Sequence, residues 1–343
     1  MGRLGFFTFI SRQLTKQPPV LKADLTGKTV LVLGANTGLG FEATKHFATM
    51  NPARLILACR SQSRGQAALD KLQADTGYSK AELWLVDLAD FDSVKQFADR
   101  FESDGGRLDI LVENAAIAAS TYKPTKDGWE ASLQVNDIST PLVAFRLLPA
   151  LIRTAEKYST LPRLVVVASE VHFFVEIPKE VYRHADILKT LGSKEYCTDS
   201  NMLPRYTLTK LLNVFFVRAL NARLPPSTPV IVTMVNPGFC HSELLRDAKG
   251  IAGTIMLFMN RILGFTAEEG SRQLVWAAVG GEPDKLRGEY ISGCQTEEVA
   301  DFVLSPQGVK AENQLWDELV DIAGKVDPRV NAIVEQYITA TPA

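Results

Sequence analysis

A tyrosine and a lysine four residues apart, Tyr206 and Lys210, form the pattern with the clearest chemical use in this 343-residue chain. On a helix, such residues share one face. A phenol with a pKa of about 10 is a poor acid–base catalyst at neutral pH, and a nearby ammonium lowers that pKa. The pair is therefore suited to moving a proton to or from a carbinol oxygen.

The same spacing occurs a second time, at Tyr122 and Lys126, so the pattern alone is weak evidence. Pro124 lies between these two residues and predicts a loop, because proline disrupts a helix interior. Tyr206 instead follows a predicted strand and comes just before the helical pattern of Leu208–Leu224. We therefore expect the later copy to be the functional one.

Two polar residues upstream could act together with this pair. Ser169 directly follows the apolar run 164–168, where a hydroxyl can hydrogen-bond a substrate oxygen in the crevice beyond a strand. A serine there is equally consistent with a helix cap, and Asn136 has a similar alternative as a polar helix residue. Spacing alone leaves both interpretations open.

An apolar run followed by glycines lies near the start of the chain. Val30–Leu33 predicts a buried strand, and Gly38, Gly40 and Ala43 fit the G-x-G-x-x-G/A turn into a helix. Glycines let the backbone approach a diphosphate, and the helix start offers free N–H groups and a positive dipole end. The alternative is a tight strand–helix connection without a ligand. The strand before the turn and the helical pattern after it favour a dinucleotide.

Twenty residues after Gly40, an acidic residue would bind the ribose 2′-hydroxyl of NAD. Here the strand 55–58 runs into Cys59 and Arg60. The Arg60 guanidinium cannot accept a hydrogen bond, but it can bind a 2′-phosphate and stack on adenine. The position therefore predicts NADP(H) rather than NAD(H), with an ordinary solvated arginine as the alternative.

Apolar strand-like runs alternate with helical patterns, which predicts an α/β fold with a doubly wound parallel sheet of about seven strands. The predicted strands are Thr29–Leu33, Arg54–Ala58, Glu82–Val86, Leu108–Val112, Leu164–Ala168, Val230–Val235 and a short Glu289–Ile291. Predicted helices include Leu39–Met50, Ser93–Phe101 and Leu208–Leu224.

We interpret the chain as an N-terminal arm, residues 1–26, and a single Rossmann-type domain, residues 27–343. Insertions at 171–203 and 239–265 follow strands at the edge where ligands bind, so we expect them to build the substrate pocket. Their apolar residues predict a medium-sized, largely apolar substrate; these residues are Phe173, Phe174, Phe239, Ile255, Met256 and Phe258. Residues 312–343 predict a helical extension, whose apolar positions favour a core or subunit surface.

The bulk properties exclude several classes of protein. A formal net charge of −2 argues against a nucleic-acid-binding face. The four cysteines are scattered, which predicts neither a zinc site nor a disulfide framework and is typical of a reducing compartment such as the cytoplasm. The apolar stretch Leu4–Ile10 is too short to span a bilayer. We predict a docked arm there, with a membrane-surface anchor as the less favoured alternative.

Taken together, the motifs resemble those of the short-chain dehydrogenase/reductase family, over roughly residues 28 to 278. They appear in the family's order, which is Gly34-x-x-x-Gly38-x-Gly40, Asn114-Ala115-Ala116, Asn136, Ser169, Tyr206/Lys210 and Pro237-Gly238. The segments 34–40 and 57–60 resemble the retinol-dehydrogenase-like subgroup. The N-terminal arm and the segment 315–319 are more similar to reductases of fungal secondary metabolism.

The resemblance implies a role for each site residue. Tyr206 would donate the proton in reduction, Lys210 would hold the nicotinamide ribose and lower the pKa of Tyr206, and Ser169 would orient the carbonyl. Asn136 would hold a water of the proton relay. Asp87 would contact the adenine amino group. The other expected cofactor contacts are Gly34, Asn36, Thr37, Gly38, Leu39, Gly40, Arg60, Leu88, Asn114, Ala115, Pro237, Gly238 and Ser242.

Several residues depart from the family pattern. Leu33 stands where a threonine is usual, Glu113 and Ala116 alter the Asn-Asn-Ala-Gly run, and Ser242 replaces a threonine. None of them belongs to the catalytic set, so we expect altered packing of the cofactor loops rather than lost activity.

The sequence therefore predicts an NADP(H)-dependent enzyme that interconverts a ketone or aldehyde with an alcohol, as a monomer or homodimer without a metal. One alternative is an enzyme of the same fold that isomerises, dehydrates or cyclises without net redox. A second is a non-catalytic NADP-sensing protein, and a third is a lipid- or retinoid-oxidising enzyme on a membrane surface.

Overall fold

An eight-stranded sheet forms the centre of the protein in this computed structural model, which describes residues 5–184, 186–241 and 259–339. The strand order is β3-β2-β1-β4-β5-β6-β7-β8, and every neighbouring pair is parallel except β7 and β8. The strands are β1 Thr29–Leu33, β2 Arg54–Cys59, β3 Ala81–Leu85, β4 Ile110–Glu113, β5 Arg163–Val167, β6 Ile231–Val235, β7 Tyr290–Ser292 and β8 Gln295–Glu297. The seven predicted strands are confirmed, with ends that shift by one or two residues.

The eighth strand was not predicted from the sequence. It is antiparallel to β7, and the two are joined by Gly293 and Cys294, both with positive φ. Such a two-residue connection matches the twist of a hairpin. The residues of β8 are polar, and two of the three are exposed, so no apolar run marks them.

Helices cover both faces of the sheet, as the predicted doubly wound fold requires. They are α1 Phe6–Leu14, α2 Gly38–Ala48, α3 Gln62–Thr76, α4 Phe91–Ser103, α5 Ala131–Leu133, α6 Thr140–Tyr158, α7 Lys179–Tyr182, α8 Ile187–Gly192, α9 Asp199–Met202, α10 Arg205–Arg223, α11 Ala267–Val279, α12 Asp301–Leu304, α13 Pro306–Val326 and α14 Arg329–Tyr337. Alternate residues of β1 enter two separate cores: Leu31 and Leu33 face one side, while Val30 and Val32 face the other. Strands buried on both faces read as continuous apolar runs, which is why the sequence reveals them.

One continuous helical segment, 131–158, passes through the larger core. It is long and apolar enough to cross a membrane, yet its most apolar window is entirely buried within the protein, so it is a core helix. A π-helical segment, Gln134–Ser139, joins α5 to α6. Such widened turns are frequent at functional sites, and this one contains Asn136.

The C-terminal helices pack against the helices that carry the site. Trp316 of α13 contacts the Phe145 ring of α6 edge-on, with ring centroids 5.6 Å apart. The fully buried Arg146 pairs with Asp327, which directly follows α13. The extension therefore completes the core on this side of the sheet.

The N-terminal helix α1 lies against the loop that follows β6. Gln13 donates from Nε2 to the carbonyl oxygens of Phe239 (2.9 Å) and Leu263 (3.1 Å). Arg12 pairs with Glu297 of β8 at 2.6 Å. These contacts correspond to a docked arm, while the boundaries of the arm and domain stay a prediction.

Candidate active site

The glycine turn between β1 and α2 has the conformation and the space that a diphosphate needs. Gly34 and Gly38 have φ of +75° and +60°, a region that favours glycine. A Cβ at Gly40 would collide with the Gly34 carbonyl oxygen and lie 2.5 Å from Asn114 Nδ2, whereas one at Gly38 would meet nothing within 4 Å. Gly40 is therefore required by packing, and Gly38 opens toward free space.

The start of α2 points into that space. Thr37, which precedes the helix, makes no capping hydrogen bond through its side chain. The N–H groups of the first helical turn are without partners in every helix unless a cap or a ligand supplies them. Thr37 is exposed, and Asn36 and Leu39 are half-buried, so all three border the open side of the turn. These features fit a bound diphosphate.

Asn114 and Ala115 hold the turn from the neighbouring strand. Asn114 donates from Nδ2 to the carbonyl oxygens of Gly34 (3.0 Å) and Leu33 (3.3 Å). A Cβ at Gly34 would lie only 2.8 Å from the Ala115 Cα. Both residues thus lie beside the expected cofactor position, and Asn114 braces the backbone there.

The expected adenosine contacts follow β2 and β3, whose parallel pairing brings their carboxyl ends together. Arg60 is exposed, and it has no hydrogen-bond or ion-pair partner among the residues that the structure describes. Asp87 is half-buried and accepts a hydrogen bond from the Ala89 N–H at 3.0 Å. The Leu88 side chain is buried in the larger core, which leaves its backbone as the part near this edge.

Tyr206 and Lys210 lie in the first turns of α10, with the Lys210 Nζ 5.6 Å from the centre of the Tyr206 ring. Lys210 is buried and donates to the Val167 carbonyl oxygen at 2.7 Å and to Asn213 Oδ1 at 3.1 Å. Val167 ends β5, two residues before Ser169. Lys210 thus joins α10 to the end of β5, close to Ser169.

Asn136 connects α10 to the loop that follows β4. Its side chain exchanges two hydrogen bonds of 2.9 Å with the backbone of Ile117 and donates to Thr209 Oγ1 at 3.0 Å. Its backbone carbonyl accepts from Asn213 Nδ2 at 2.8 Å. Sequence reasoning missed Asn213, although its place three residues after Lys210 puts both on one helix face.

Ser169 is half-buried at the end of β5, and its Oγ accepts from the Val171 N–H at 3.4 Å. This long contact leaves the hydroxyl hydrogen available to an oxygen in the crevice. His172 is buried, with Nδ1 2.6 Å from the Ser169 carbonyl oxygen and Nε2 3.3 Å from the Ala300 nitrogen. Burial lowers the pKa of His172 to about 4, so it is neutral and supports the serine loop.

The direction of the Tyr206 pKa shift differs from the expectation that Lys210 would lower it. Burial raises the pKa of Tyr206 above its usual value, with a smaller contribution from the Cys240 thiol. Burial lowers the pKa of Lys210 to about 8, and the Asp137 carboxylate opposes that shift. Burial outweighs the lowering expected from Lys210, whose hydrogen bonds direct the ammonium to Val167 and Asn213.

The loop after β6 lies close to the glycine turn. Gly238 has φ of +81°, and its N–H donates to Asn236 Oδ1 at 3.1 Å. A Cβ at Gly270 of α11 would lie 2.8 Å from Leu39 and 3.2 Å from the Pro237 carbonyl oxygen. Leu39 and Pro237 thus flank the same helix. The predicted contact Ser242 lies outside the described residues.

Of the apolar residues expected to line a substrate pocket, the three that the structure describes are not gathered in one place. Phe173 packs on His172 and Tyr290, Phe239 contacts the Phe9 ring of the arm, and Phe174 is largely exposed. The remaining three, Ile255, Met256 and Phe258, lie outside the described residues. A cavity of about 420 Å³ is lined by Pro237, Gly238, Glu170 and the arm rather than by the candidate catalytic residues.

Comparison with known proteins places this arrangement in a family. The family model described as short chain dehydrogenase matches residues 28–182. The short chain dehydrogenase/reductase dmxR8 of Cryptosporiopsis sp. (strain 8999) is 35% identical over 327 residues, which cover 94% of this chain and 99% of the relative. The short chain dehydrogenase sol3 of Alternaria solani is 37% identical over 281 residues, or 81% of this chain and 93% of the relative.

Solved structures show the same fold. Salutaridine reductase from Papaver somniferum aligns with a TM-score of 0.54 and 21% identity, over 77% of this chain and 99% of that structure. A putative short chain dehydrogenase from Escherichia coli CFT073, complexed with NADPH, aligns with a TM-score of 0.56 and 19% identity. The alignment covers 80% of this chain and 99% of that structure.

The sheet, the glycine turn and the tyrosine–lysine helix define a nicotinamide-dependent oxidoreductase of Rossmann type. The chain belongs to the short-chain dehydrogenase/reductase family, whose members act on alcohol or carbonyl groups of small molecules. The resemblance deduced from the sequence is thereby confirmed, including its similarity to fungal members.

Proposed function

We propose that this protein uses NADPH to reduce a ketone or aldehyde on a medium-sized, largely apolar molecule, of the kind made in fungal secondary metabolism. The observation that carries this proposal is the junction of three elements at Lys210. Its ammonium holds the end of β5, its helix presents Tyr206, and Asn213 links it to the π-helical segment around Asn136. This junction supports an arrangement in which a phenol, an ammonium and a serine hydroxyl face one crevice.

The residues have distinct tasks in the proposed reaction. When bound, the nicotinamide supplies a hydride to the carbonyl carbon. The Ser169 hydroxyl donates a hydrogen bond to the carbonyl oxygen and orients it. Tyr206 transfers its phenolic proton to that oxygen, which completes the alcohol. The positive charge of Lys210 stabilises the phenolate that remains.

Recognition of NADPH over NADH is assigned to Arg60. An exposed guanidinium that is not committed to a protein carboxylate is free to form a bidentate pair with a 2′-phosphate. Ser61, the next residue, accepts from the Arg64 N–H at 3.4 Å and caps α3, so its backbone is fixed beside this position. The NADPH complex of the Escherichia coli family member is consistent with this assignment.

A panel of apolar ketones and aldehydes tests the proposal. The purified protein is mixed with NADPH and each carbonyl compound, NADPH oxidation is followed by absorbance, and products are identified by mass spectrometry. We expect stoichiometric formation of an alcohol and oxidised cofactor. Tyr206→Phe should lower kcat by roughly a hundredfold or more while NADPH binding persists, and Tyr122→Phe is the matched control.

Two results would contradict the proposal. Product formed without NADPH consumption would indicate an isomerase, dehydratase or cyclase of the same fold. NADPH binding without turnover across the panel would indicate a sensor.

A cytoplasmic location and the monomeric or dimeric state stay predictions.

A further inference from the structure

A buried polar chain runs behind the catalytic lysine. Asp137, Asn213 and Lys210 are each at most 4% exposed. Asn213 Oδ1 accepts from the Lys210 Nζ at 3.1 Å, and Asn213 Nδ2 donates to Asp137 Oδ1 at 3.2 Å and to the Asn136 carbonyl at 2.8 Å. Two charged residues thus meet through one amide.

The chemistry of the partners fixes which way the Asn213 amide points. A lysine ammonium only donates hydrogen bonds, so the amide oxygen must face Lys210. A carbonyl and a carboxylate only accept, so the amide nitrogen must face Asn136 and Asp137. The amide has one orientation that satisfies all three partners, and it therefore holds the ammonium at a fixed position.

Asp137 adds a charge to this arrangement. Its second oxygen, Oδ2, is buried and has no hydrogen-bond partner among the described residues. Burial raises the pKa of Asp137 well above the usual value, and the positive charge of Lys210 opposes that shift. The other charged groups near Asp137 are Glu130 and Arg205, an ion pair at 3.6 Å in which both side chains are fully buried. Because that pair is internally neutral, the main counterion for the Asp137 carboxylate is Lys210.

We propose that Asn213 and Asp137 are positioning residues for Lys210: Asn213 fixes the place of its ammonium, and Asp137 maintains its charge. This inference rests on the proposed function. The family resemblance implies that Asn136 holds a water of the proton relay; here the Asn136 carbonyl accepts a hydrogen bond from the Asn213 amide. Both side chains are buried and bonded to other protein groups, so they act through the lysine.

The test is the pH dependence of kcat in the full-length protein. The groups that face Lys210 are Asp137 from the π-helical segment and Tyr206 from its own helix, and Tyr206 in turn faces Cys240. In the wild type, loss of the Lys210 charge should give an alkaline limb near pH 8. Asp137→Asn keeps the size and an acceptor for Asn213 but removes the charge. We expect its alkaline limb to move down by about one pH unit.

Asn213→Leu removes all three of these hydrogen bonds and keeps the branched shape of the side chain. We expect kcat to fall by roughly ten- to a hundredfold, and Asn213→Gln, which retains the amide, should recover part of that loss. Asn221→Leu, two turns further along the same helix, is the matched control. Thermal unfolding verifies that each variant is folded. If Asn213→Leu does not fold, Asp137→Asn still tests the inference.

The outcomes separate the two proposals. If the wild type reduces carbonyls but Asp137→Asn retains the wild-type pH profile and Asn213→Leu retains kcat, the positioning inference is overturned while the function stands. If the wild type oxidises no NADPH with any carbonyl, both are overturned. A shifted limb with an unchanged unfolding temperature supports the inference, because a purely structural role would not move the profile.

Discussion

The two tyrosine–lysine pairs have the same spacing and opposite environments. Tyr122 and Lys126 lie in a loop in which Pro124 forms an isolated bridge to Glu130. Lys126 is half-exposed and pairs with Asp90 at 2.7 Å and Asp92 at 3.5 Å. The later pair, Tyr206 and Lys210, lies on a helix, with its lysine buried.

The pKa directions show what the environments do to the same side chain. The Asp90 carboxylate raises the pKa of Lys126, so this lysine stays charged across the usual pH range. Burial lowers the pKa of Lys210 to about 8, within reach of physiological conditions. Spacing along the chain therefore does not define a catalytic pair; the elements that hold the ammonium do.

The largest effect should come from removing each lysine in turn. Lys210→Met deletes the charge that stabilises the phenolate and the bond to β5, so we expect kcat to fall by roughly a hundred- to ten-thousandfold. Lys126→Met loses only solvent-exposed ion pairs and should retain wild-type kcat. Steady-state kinetics of both variants with the same carbonyl checks this; comparable losses in the two would break the contrast.

A second contrast concerns two arginines that lie near each other in the sequence but differ in their ion-pair partners. Arg54 pairs with Glu82 at 2.6 Å and with Asp104, whereas Arg60 has no partner among the described residues. Arg60→Ala should raise the KM for NADPH by roughly ten- to a hundredfold, because one charge-assisted pair is lost. The KM for NADH should stay unchanged. Arg54→Ala should alter stability but not the NADPH/NADH ratio, and an equal change of that ratio in both variants would refute the assignment.

The smallest expected effect is on stability and concerns a buried acid, Glu113. Both of its carboxyl oxygens are buried and have no hydrogen-bond partner in the part of the chain that the structure describes. Burial raises the pKa of Glu113 well above 4.5. The folded state then holds this proton more tightly than the unfolded chain, so the free energy of unfolding falls as pH rises above about 4.5. Glu113→Gln should remove that loss and stabilise the protein near neutral pH by about 1 kcal/mol.

The control for this prediction is Glu82→Gln. Its hydrogen bond to Arg54 lowers the pKa of Glu82, so its contribution is present above the unfolded pKa and lost as pH falls. That variant should lose stability at neutral pH. Urea unfolding at several pH values compares the two, and a Glu113→Gln variant less stable than the wild type at neutral pH would contradict the account.

The features that could be predicted are those that leave a local pattern in the sequence. Parallel strands such as Thr29–Leu33 are apolar on both faces, and the glycine turn combines backbone and packing requirements in a few residues. The sequence could not predict β8, whose residues are polar, or the role of Asn213, whose partners lie 76 and 77 residues away in the chain. The docking of Gln13 on Phe239, 226 residues away, likewise depends on tertiary packing.

Transfer of deuterium from NADPH that carries deuterium at both hydrogen positions of the nicotinamide C4 tests the central claim most directly. With the carbonyl compound that turns over fastest, the wild-type product should carry one deuterium at the carbinol carbon. Tyr206→Phe should bind the labelled cofactor and form almost no labelled product. A labelled product at wild-type rate from Tyr206→Phe, or an unlabelled product from the wild type, would contradict the account.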